Sequence, residues 1–123
     1  MTQPMEVGAM GWLDLAVDDA ESMRAFYEAV VGWRAQAVSM GQYDDYAMHP
    51  QGSDSPVAGV CHRRGVNAGQ PGGWIPYFVV ADLDASVREC KKRGGRELAD
   101  RRGDGFVVVA DPSGAVCALY QKP

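Results

Sequence analysis

The chain has 123 residues, of which 46% are hydrophobic and 23% are charged, and its formal net charge is −4 at pH 7. This size and composition suit one globular domain with a single small core. The acidic balance and the lack of a basic stripe argue against nucleic acid as a partner. No apolar run approaches the roughly 20 residues that a membrane-spanning helix needs, so we expect no membrane partner.

Two further features indicate a cytoplasmic protein. Residues 1–8 show no basic segment followed by an apolar stretch, which is the pattern of a secretory signal. The three cysteines, Cys61, Cys90 and Cys117, are an odd number in apolar surroundings without metal-binding spacing. They are interpreted as buried thiols in a reducing compartment.

The first half of the chain begins with a strand over residues 10–17, in which apolar and mixed positions alternate with a period of two. Asp19 then suits the N-cap of a helix over 19–31, and Gly32 suits its end because glycine adopts the left-handed conformation. Three strands are predicted to follow, over 33–38, 43–48 and 57–62. Residues 63–73 hold four glycines and a proline and are the best linker candidate.

The second half repeats this pattern. A strand over 74–80 is followed by Asp82 as an N-cap, a helix that ends at Gly94–Gly95, and predicted strands over 96–98, 106–110 and 115–120. Asp19 and Asp82 are 63 positions apart, as are Gly32 and Gly95, which indicates an internal repeat. The sequence therefore predicts one α+β domain of two βαβββ modules, over about 8–62 and 74–121. Each module forms a curved sheet with its helix outside, and the pair encloses a cleft.

Alternation along the opening strand of each module separates two faces. The outer face, under the helices, takes Leu13, Leu15, Val17, Pro76, Phe78 and Val80. The inner face takes Trp12, Asp14, Ala16, Ile75, Tyr77 and Val79. Trp33 and Phe26 are predicted to lie in the core beneath the first helix, and Trp74 is a candidate for a subunit contact.

Two segments carry a family resemblance. WLDLAVDDAESMRAFYEAVVGW, and WIPYFVVADLDASVRECKKRGG followed by VVVADPSGAVCALYQ, resemble the opening and closing modules of the vicinal oxygen chelate proteins, the glyoxalase/bleomycin-resistance/dioxygenase superfamily. The resemblance covers nearly the whole chain. It implies a ligand-binding cleft, and because small members commonly pair, it implies a homodimer.

Metalloenzymes of that family hold a divalent metal through four inward-facing residues. The matching positions here are Trp12, Gly59, Ile75 and Ala118, and none of these side chains offers a lone pair to a hard cation. The resemblance therefore does not imply metal-dependent catalysis, and no cofactor is predicted. An improvised site from His49 and His62 with Cys61 and Asp45 is an alternative. Otherwise His49 is solvated beside Pro50 and His62 is a partly buried, hydrogen-bonded strand-end residue.

The predicted cleft face suits a small, partly apolar organic ligand, with aromatic contact area and a few polar groups. Asp14 is the candidate general base, because burial can raise a carboxyl pKa; it can equally be structural. His62 is a second, tentative acid/base. The predicted ligand-binding residues are Trp12, Tyr46, Met48, Cys61, Ile75 and Tyr77.

Three functions remain open. The first is metal-independent binding of a small organic molecule. The second is an enzyme, either a lyase, isomerase or dioxygenase with relocated metal ligands or an acid/base catalyst using Asp14 with His62 or Tyr77. The third is an interaction module without a small ligand, which a cleft filled by its own side chains would favour.

Overall fold

The structure, a computed structural model, describes residues 5–123 and has the predicted α+β order of elements. Each half follows the βαβββ pattern. The strands and helices are β1 (Met10–Val17), α1 (Ala20–Val31), β2 (Arg34–Ser39), β3 (Asp44–His49), β4 (Ala58–His62), β5 (Gly73–Val80), α2 (Leu83–Lys92), β6 (Arg96–Arg101), β7 (Phe106–Ala110) and β8 (Val116–Gln121). Short 3₁₀ turns cover Gly65–Asn67 and Arg102–Asp104. Over the described part of the chain, neither helix is long and apolar enough to cross a membrane.

The described part of the chain divides into two compact units. Leu13–Trp74 forms one unit, here called the first half, and residues 5–12 together with Ile75–Pro123 form the other, the second half. In the first half the strand order is β2-β3-β4-β1, with β1 and β4 parallel and the other neighbours antiparallel. In the second half the order is β5-β8-β7-β6, with β5 and β8 parallel. Parallel neighbours require a long crossover connection, which in each half includes the helix.

Residues just before β1 belong to the second half through backbone hydrogen bonds. The amide of Gly8 donates to the carbonyl of Val79 at 2.8 Å, and the amide of Val79 donates to the carbonyl of Ala9 at 2.9 Å. These bonds extend the pairing of β5 by a segment that is about 70 positions away in the sequence.

Aspartates cap both helices as predicted. The Asp19 carboxylate accepts from the Ser22 amide at 3.1 Å, and that of Asp82 accepts from the Ala85 amide at 3.1 Å. Gly32 ends α1 with φ of 86°. The predicted equivalence of Gly32 with Gly95 is wrong by one position, because α2 ends two residues earlier and Gly94 takes the positive φ, 95°.

Gly95 is required for a different reason. A Cβ at this position would lie 2.5 Å from Cys90 Sγ and 2.9 Å from the carbonyl oxygen of Ala110. Glycine therefore lets the start of β6 pass directly beneath the end of α2.

The core of the first half confirms the outer face predicted for β1. Leu13, Leu15 and Val17 pack into a cluster beneath α1 with Ala20, Ala58 and Val60. Tyr46 and Met48 join the same cluster, and Met48 is fully buried there. Their predicted place on the ligand-binding face is therefore wrong: alternation along β3 directs the large apolar side chains under the helix and Asp45, Ala47 and His49 to the other side.

Aromatic side chains extend this core. Tyr27 contacts Trp33 and Trp74 at ring-centroid distances of 6.0 and 5.2 Å, and the indole N–H of Trp74 donates to the Tyr27 hydroxyl at 3.2 Å. The core position predicted for Trp33 is confirmed. The structure places Trp74, a candidate for a subunit contact, inside this cluster. Phe26 is 51% exposed on α1, so its predicted core position is wrong.

The second half has its own core beneath α2. Val107 and Val109 pack with Leu83 and Val87 of the helix, and Val80 joins them. Ile75, Tyr77 and Val79 therefore lie on the opposite face, as predicted, and each is buried. The predicted weak strand at 96–98 continues to Arg101, with an irregularity between Glu97 and Ala99, because β7 offers pairing partners along the whole of that length.

Candidate functional site

The sheet of the first half has a polar face on the side away from α1, here called the inner face. Strand alternation places seven residues there from β1, β3 and β4, since their chain neighbours pack under the helix. They are Asp14, Ala16, Asp45, Ala47, His49, Gly59 and Cys61. On β2, Ala35 packs under the helix, so Arg34, Gln36 and Val38 face the inner side.

Pairing between strands sets these residues in rows. Gly59 lies beside Asp14 on β1 and beside Ala47 on β3, and Ala47 in turn lies beside Gln36. The centre of the inner face therefore carries only a hydrogen atom and a methyl group. Polar side chains surround these two small residues, and Gly59, Asp45 and His49 are buried.

Cys61 is held between two carboxylates. Its thiol donates to the Asp14 carboxylate with an S···O distance of 3.9 Å. Burial, followed by the negative charges of Asp14 and Asp45, raises the pKa of the Cys61 thiol far above its ordinary value. Only the thiolate is a strong nucleophile, so Cys61 acts here as a hydrogen-bond donor. It lies on the inner face, and its predicted contact with a ligand stays a prediction.

Asp45 fixes the end of β4. Its carboxylate is 5% exposed and accepts a hydrogen bond from the backbone N–H of His62 at 2.9 Å. The His62 Nδ1 atom lies 3.1 Å from the carbonyl oxygen of Asp44 and 3.4 Å from the Asp45 carboxylate. The ring of Tyr43 meets the imidazole edge-on at 5.3 Å. His62 is thus partly buried and hydrogen-bonded, which agrees with the interpretation of it as a strand-end residue.

His49 is not the solvated residue that its place beside Pro50 suggested. It is 3% exposed, and its Nε2 atom lies 2.9 Å from the amide oxygen Oε1 of Gln36. Its Nδ1 atom is buried and has no hydrogen-bond partner among the described residues. Sequence reasoning named His49 only as part of an improvised metal site and missed its burial, although the alternation of β3 that carries Asp45 to the inner face also carries His49 there.

The other predicted residues are distributed between the two halves. Asp14 and Cys61 share the inner face, with Asp45 and His62 beside them. Ile75 and Tyr77 are 1% and 6% exposed in the second half, where Tyr77 packs against Phe106 at 5.0 Å between ring centroids. Trp12 is half-buried at the start of β1.

The donor set does not fit a divalent metal. Gly59 pairs with Asp14 and Ala118 pairs with Tyr77, so these two family ligand positions lie within regular sheet, and neither carries a donor side chain. Across residues 5–123, no group of three or more His, Cys, Asp or Glu side chains is arranged to hold a metal ion. The alternative set of His49, His62, Cys61 and Asp45 is therefore not assembled as a metal site.

Comparison with known proteins decides the family. Residues 12–120 match the family model of the glyoxalase-like domain. The chain belongs to that family. Solved structures agree on the fold: a glyoxalase/bleomycin resistance protein/dioxygenase superfamily member from Vibrio splendidus 12B01 aligns with a TM-score of 0.56 at 12% identity, covering 89% of this chain and 96% of that one. A Streptomyces coelicolor methylmalonyl-CoA epimerase variant in complex with 2-nitronate-propionyl-CoA aligns with a TM-score of 0.55 at 19% identity, covering 95% and 99%.

Curated relatives carry diverse names. A putative glyoxylase, CFP32, of Mycobacterium tuberculosis (strain CDC 1551 / Oshkosh) is 35% identical over 120 residues, which are 94% of this chain and 45% of the relative. The anthracycline biosynthesis protein DauV of Streptomyces sp. (strain C5) is 30% identical, covering 94% and 47%. The mitochondrial methylmalonyl-CoA epimerase of Mus musculus is 26% identical, covering 94% and 74%. This glyoxalase-like chain thus spans about half the length of the first two relatives.

Proposed function

We propose that this glyoxalase-like domain binds a small organic molecule on the inner face of the first half without a metal ion. The observation that carries the proposal is the floor of Gly59 and Ala47 with Asp14 and the buried Asp45 and His49 around it. A few buried polar groups are the usual means by which a small-molecule site orients its ligand.

The chemistry of the available side chains supports the metal-independent part. Trp12, Gly59, Ile75 and Ala118 offer neither imidazole nor carboxylate at the positions where metal-dependent family members hold their ion. A divalent cation needs several converging oxygen or nitrogen ligands. Asp14 and Cys61 are instead engaged with each other, which orders the inner face by hydrogen bonding.

The names of the relatives support the ligand class at a coarse level. They include a putative glyoxylase, an anthracycline biosynthesis protein and an epimerase named for a coenzyme A ester. All three names concern small organic molecules, and they share no single reaction. We extend to this chain only that common element. We further propose that it works in the cytoplasm as a homodimer, which light scattering at micromolar concentration would test.

The test begins with protein from which metal has been removed with EDTA. Elemental analysis of the protein as purified comes first, and stoichiometric zinc, nickel, manganese or iron would refute the proposal. A thermal-shift screen of the stripped protein with α-oxo acids, thiohemiacetals and catechols should then find compounds that raise Tm, because a ligand that binds only the folded state stabilises it. A screen without any stabilising compound would also contradict the proposal.

The role of the inner face is tested by substitution. Asp14→Asn should weaken the stabilisation by the best compound, whereas Asp54→Asn, which removes a charge from an exposed loop position, should leave it unchanged. Equal behaviour of the two variants would show that the ligand binds elsewhere.

A second candidate function is acid/base catalysis centred on Asp14. The carboxylate shares the inner face with the protonated thiol of Cys61, and His62 at the end of β4 has its Nδ1 atom 3.4 Å from the Asp45 carboxylate. Turnover of the same compounds, with and without added metal, separates catalysis from binding. Activity that survives both Asp14→Asn and His62→Ala would eliminate these residues as the catalytic groups.

A further inference from the structure

The second half contains a cavity of about 390 Å³ between α2 and the sheet beneath it. Its inner wall is apolar, since it includes Val80, Val109 and Leu119 from three strands. Exposed charged residues line its outer part, so the cavity is open to solvent. In proteins, a cavity of about 150 Å³ already holds benzene, and pockets for small organic ligands begin at about 300 Å³. The size and lining therefore suit one ring with a short chain.

The internal repeat explains why this space exists. α1 and α2 begin 63 positions apart. Met23 and Tyr27 of α1 pack into the core beneath that helix. The equivalent positions of α2 hold Ser86 and Cys90, and both of these residues line the cavity. The second half thus has two smaller side chains where large side chains fill the space in the first half.

Asp111 gives the opening of the cavity its net negative charge. The charged residues that line the cavity are Glu89, Arg93 and Asp111. The Nε atom of Arg93 donates to the Glu89 carboxylate at 2.7 Å, so these two opposite charges neutralise each other. The remaining charge is that of Asp111, and a positively charged group on a ligand would complement it.

The Asp111 carboxylate is held in position by its own turn. Its Oδ1 atom accepts hydrogen bonds from the Ser113 hydroxyl at 2.6 Å, the Ser113 amide at 2.8 Å and the Ala115 amide at 3.0 Å. The bond from the Ser113 hydroxyl, followed by those from the backbone amides, holds the pKa of Asp111 below its ordinary value, so the carboxylate is ionised at neutral pH. All three bonds end on Oδ1, which leaves Oδ2 to accept from a ligand while the turn keeps its conformation.

We infer that this cavity binds a small apolar molecule that carries a protonated amine, with the apolar body against Val109 and Leu119 and the ammonium group at Asp111. The apolar wall supplies contact area and the fixed carboxylate selects the charge of the ligand. Every residue of the cavity belongs to the second half, so the inference is independent of the ligand proposed for the first half.

The test compares three probes that share a ring and a short chain: 3-phenylpropylamine, 3-phenyl-1-propanol and 3-phenylpropionate. Each is titrated at neutral pH into the full chain and followed by amide chemical shifts, which should concentrate on α2, β7 and β8. The amine should bind about three- to five-fold more tightly than the alcohol, the usual gain from an ion pair at an exposed carboxylate, and the propionate should bind most weakly. The preference for the amine should shrink when NaCl is raised to about 1 M, because salt screens exposed charges.

A substitution at Asp111 tests the charge. Asp111→Asn keeps a side-chain oxygen for the bonds from Ser113 and Ala115 but removes the negative charge, so the amine should lose its preference over the alcohol. Asp54→Asn, which removes the same charge from an exposed loop position of the first half, should leave the preference unchanged.

A substitution at Ser86 tests the cavity. Ser86→Met introduces the residue that α1 has at the equivalent position, so it should fill the space and weaken the amine and the alcohol alike by about ten-fold or more. Ser86→Ala keeps the space open and should retain binding. Urea midpoints of both variants establish that they are folded.

A separate reading on the unsubstituted protein comes from Cys90, which lines the cavity. Saturating 3-phenylpropylamine should slow the reaction of Cys90 with iodoacetamide, measured by peptide mass spectrometry. The rate at Cys61, which lies in the first half, should not change.

Three results would overturn the inference: equal affinity for the amine and the alcohol, a Ser86→Met variant that is folded and binds as the unsubstituted protein does, or an unchanged rate at Cys90. Tightest binding of the propionate would show that Arg93 is the anchor and that the ligand class is wrong. Shifts confined to β1, β3 and β4 would also refute the inference, although they would support the site proposed for the first half.

Discussion

Replacing Asp45 tests whether the inner face is held in place by its buried carboxylate. The Asp45 carboxylate accepts a hydrogen bond from the backbone N–H of His62 at 2.9 Å and lies 3.4 Å from Nδ1 of the His62 ring. Asp45→Ala removes this carboxylate. Asp45→Asn is the matched control because it keeps one carbonyl oxygen at the same position. The two variants differ in whether the N–H of His62 retains a partner.

The magnitude follows from the burial of this bond. Leaving a buried donor unsatisfied costs about 1–3 kcal/mol, and because the His62 amide is only part-buried we expect about 1–2 kcal/mol for Asp45→Ala. For a domain of this length, each kcal/mol lowers Tm by about 3–5 °C, so Tm should fall by about 3–10 °C. Asp45→Asn should cost less than half as much.

Urea unfolding followed by tryptophan fluorescence measures this difference. The midpoint should fall for Asp45→Ala at an unchanged slope, since the surface exposed on unfolding stays the same. An Asp45→Ala variant as stable as the unmodified protein would refute the reasoning. An Asp45→Asn variant as unstable as Asp45→Ala would show that the charge matters, and not the accepted hydrogen bond.

Two further predictions concern other parts of the chain. Gly95→Ala should destabilise the domain by about 1–3 kcal/mol, because the new Cβ would meet Cys90 Sγ at 2.5 Å and a backbone oxygen at 2.9 Å, whereas Gly69→Ala, with nothing within 4 Å, should be nearly neutral; urea midpoints that fall equally would contradict this. Cys61 should react with iodoacetamide at pH 8 more slowly than the same cysteine in urea-unfolded protein, because burial and the neighbouring carboxylates raise its thiol pKa and keep it protonated. Peptide mass spectrometry reads the rates, and labelling as fast in the native as in the unfolded state would count against the predicted thiol environment.

Features that depend on neighbours in the sequence were predictable. Asp19 and Asp82 cap their helices through amides three residues ahead, so the capping residues themselves carry the signal. The faces of β1 follow from simple alternation, whereas on β5 Val80 packs under α2 but Phe78, predicted beside it, is 39% exposed. The family itself was recognisable because the order of strands, caps and turns repeats along the chain.

Features that depend on contacts between residues distant in the sequence were not predictable. Tyr46 and Met48 were assigned to the ligand-binding face by their chemistry, but which face of β3 lies under α1 depends on contacts with the helix and with β4. The burial of His49 depends on the strands around it, and a histidine beside Pro50 carries no local sign of that. Phe26 shows the reverse case, since helical spacing alone did not exclude a position half exposed to solvent.

The hydrogen bonds of Gly8 and Ala9 with Val79 have a consequence for how this chain can be divided. Cleavage between residues 63 and 72 would look like a separation of two equal repeats, but it would leave the partner segment of Val79 on the N-terminal fragment. The C-terminal fragment would then expose the unpaired backbone N–H and C=O groups of β5 at the edge of its sheet. Such fragments would be expected to stay associated after a nick and to aggregate when expressed apart, so that the sequence repeat is not an independent folding unit.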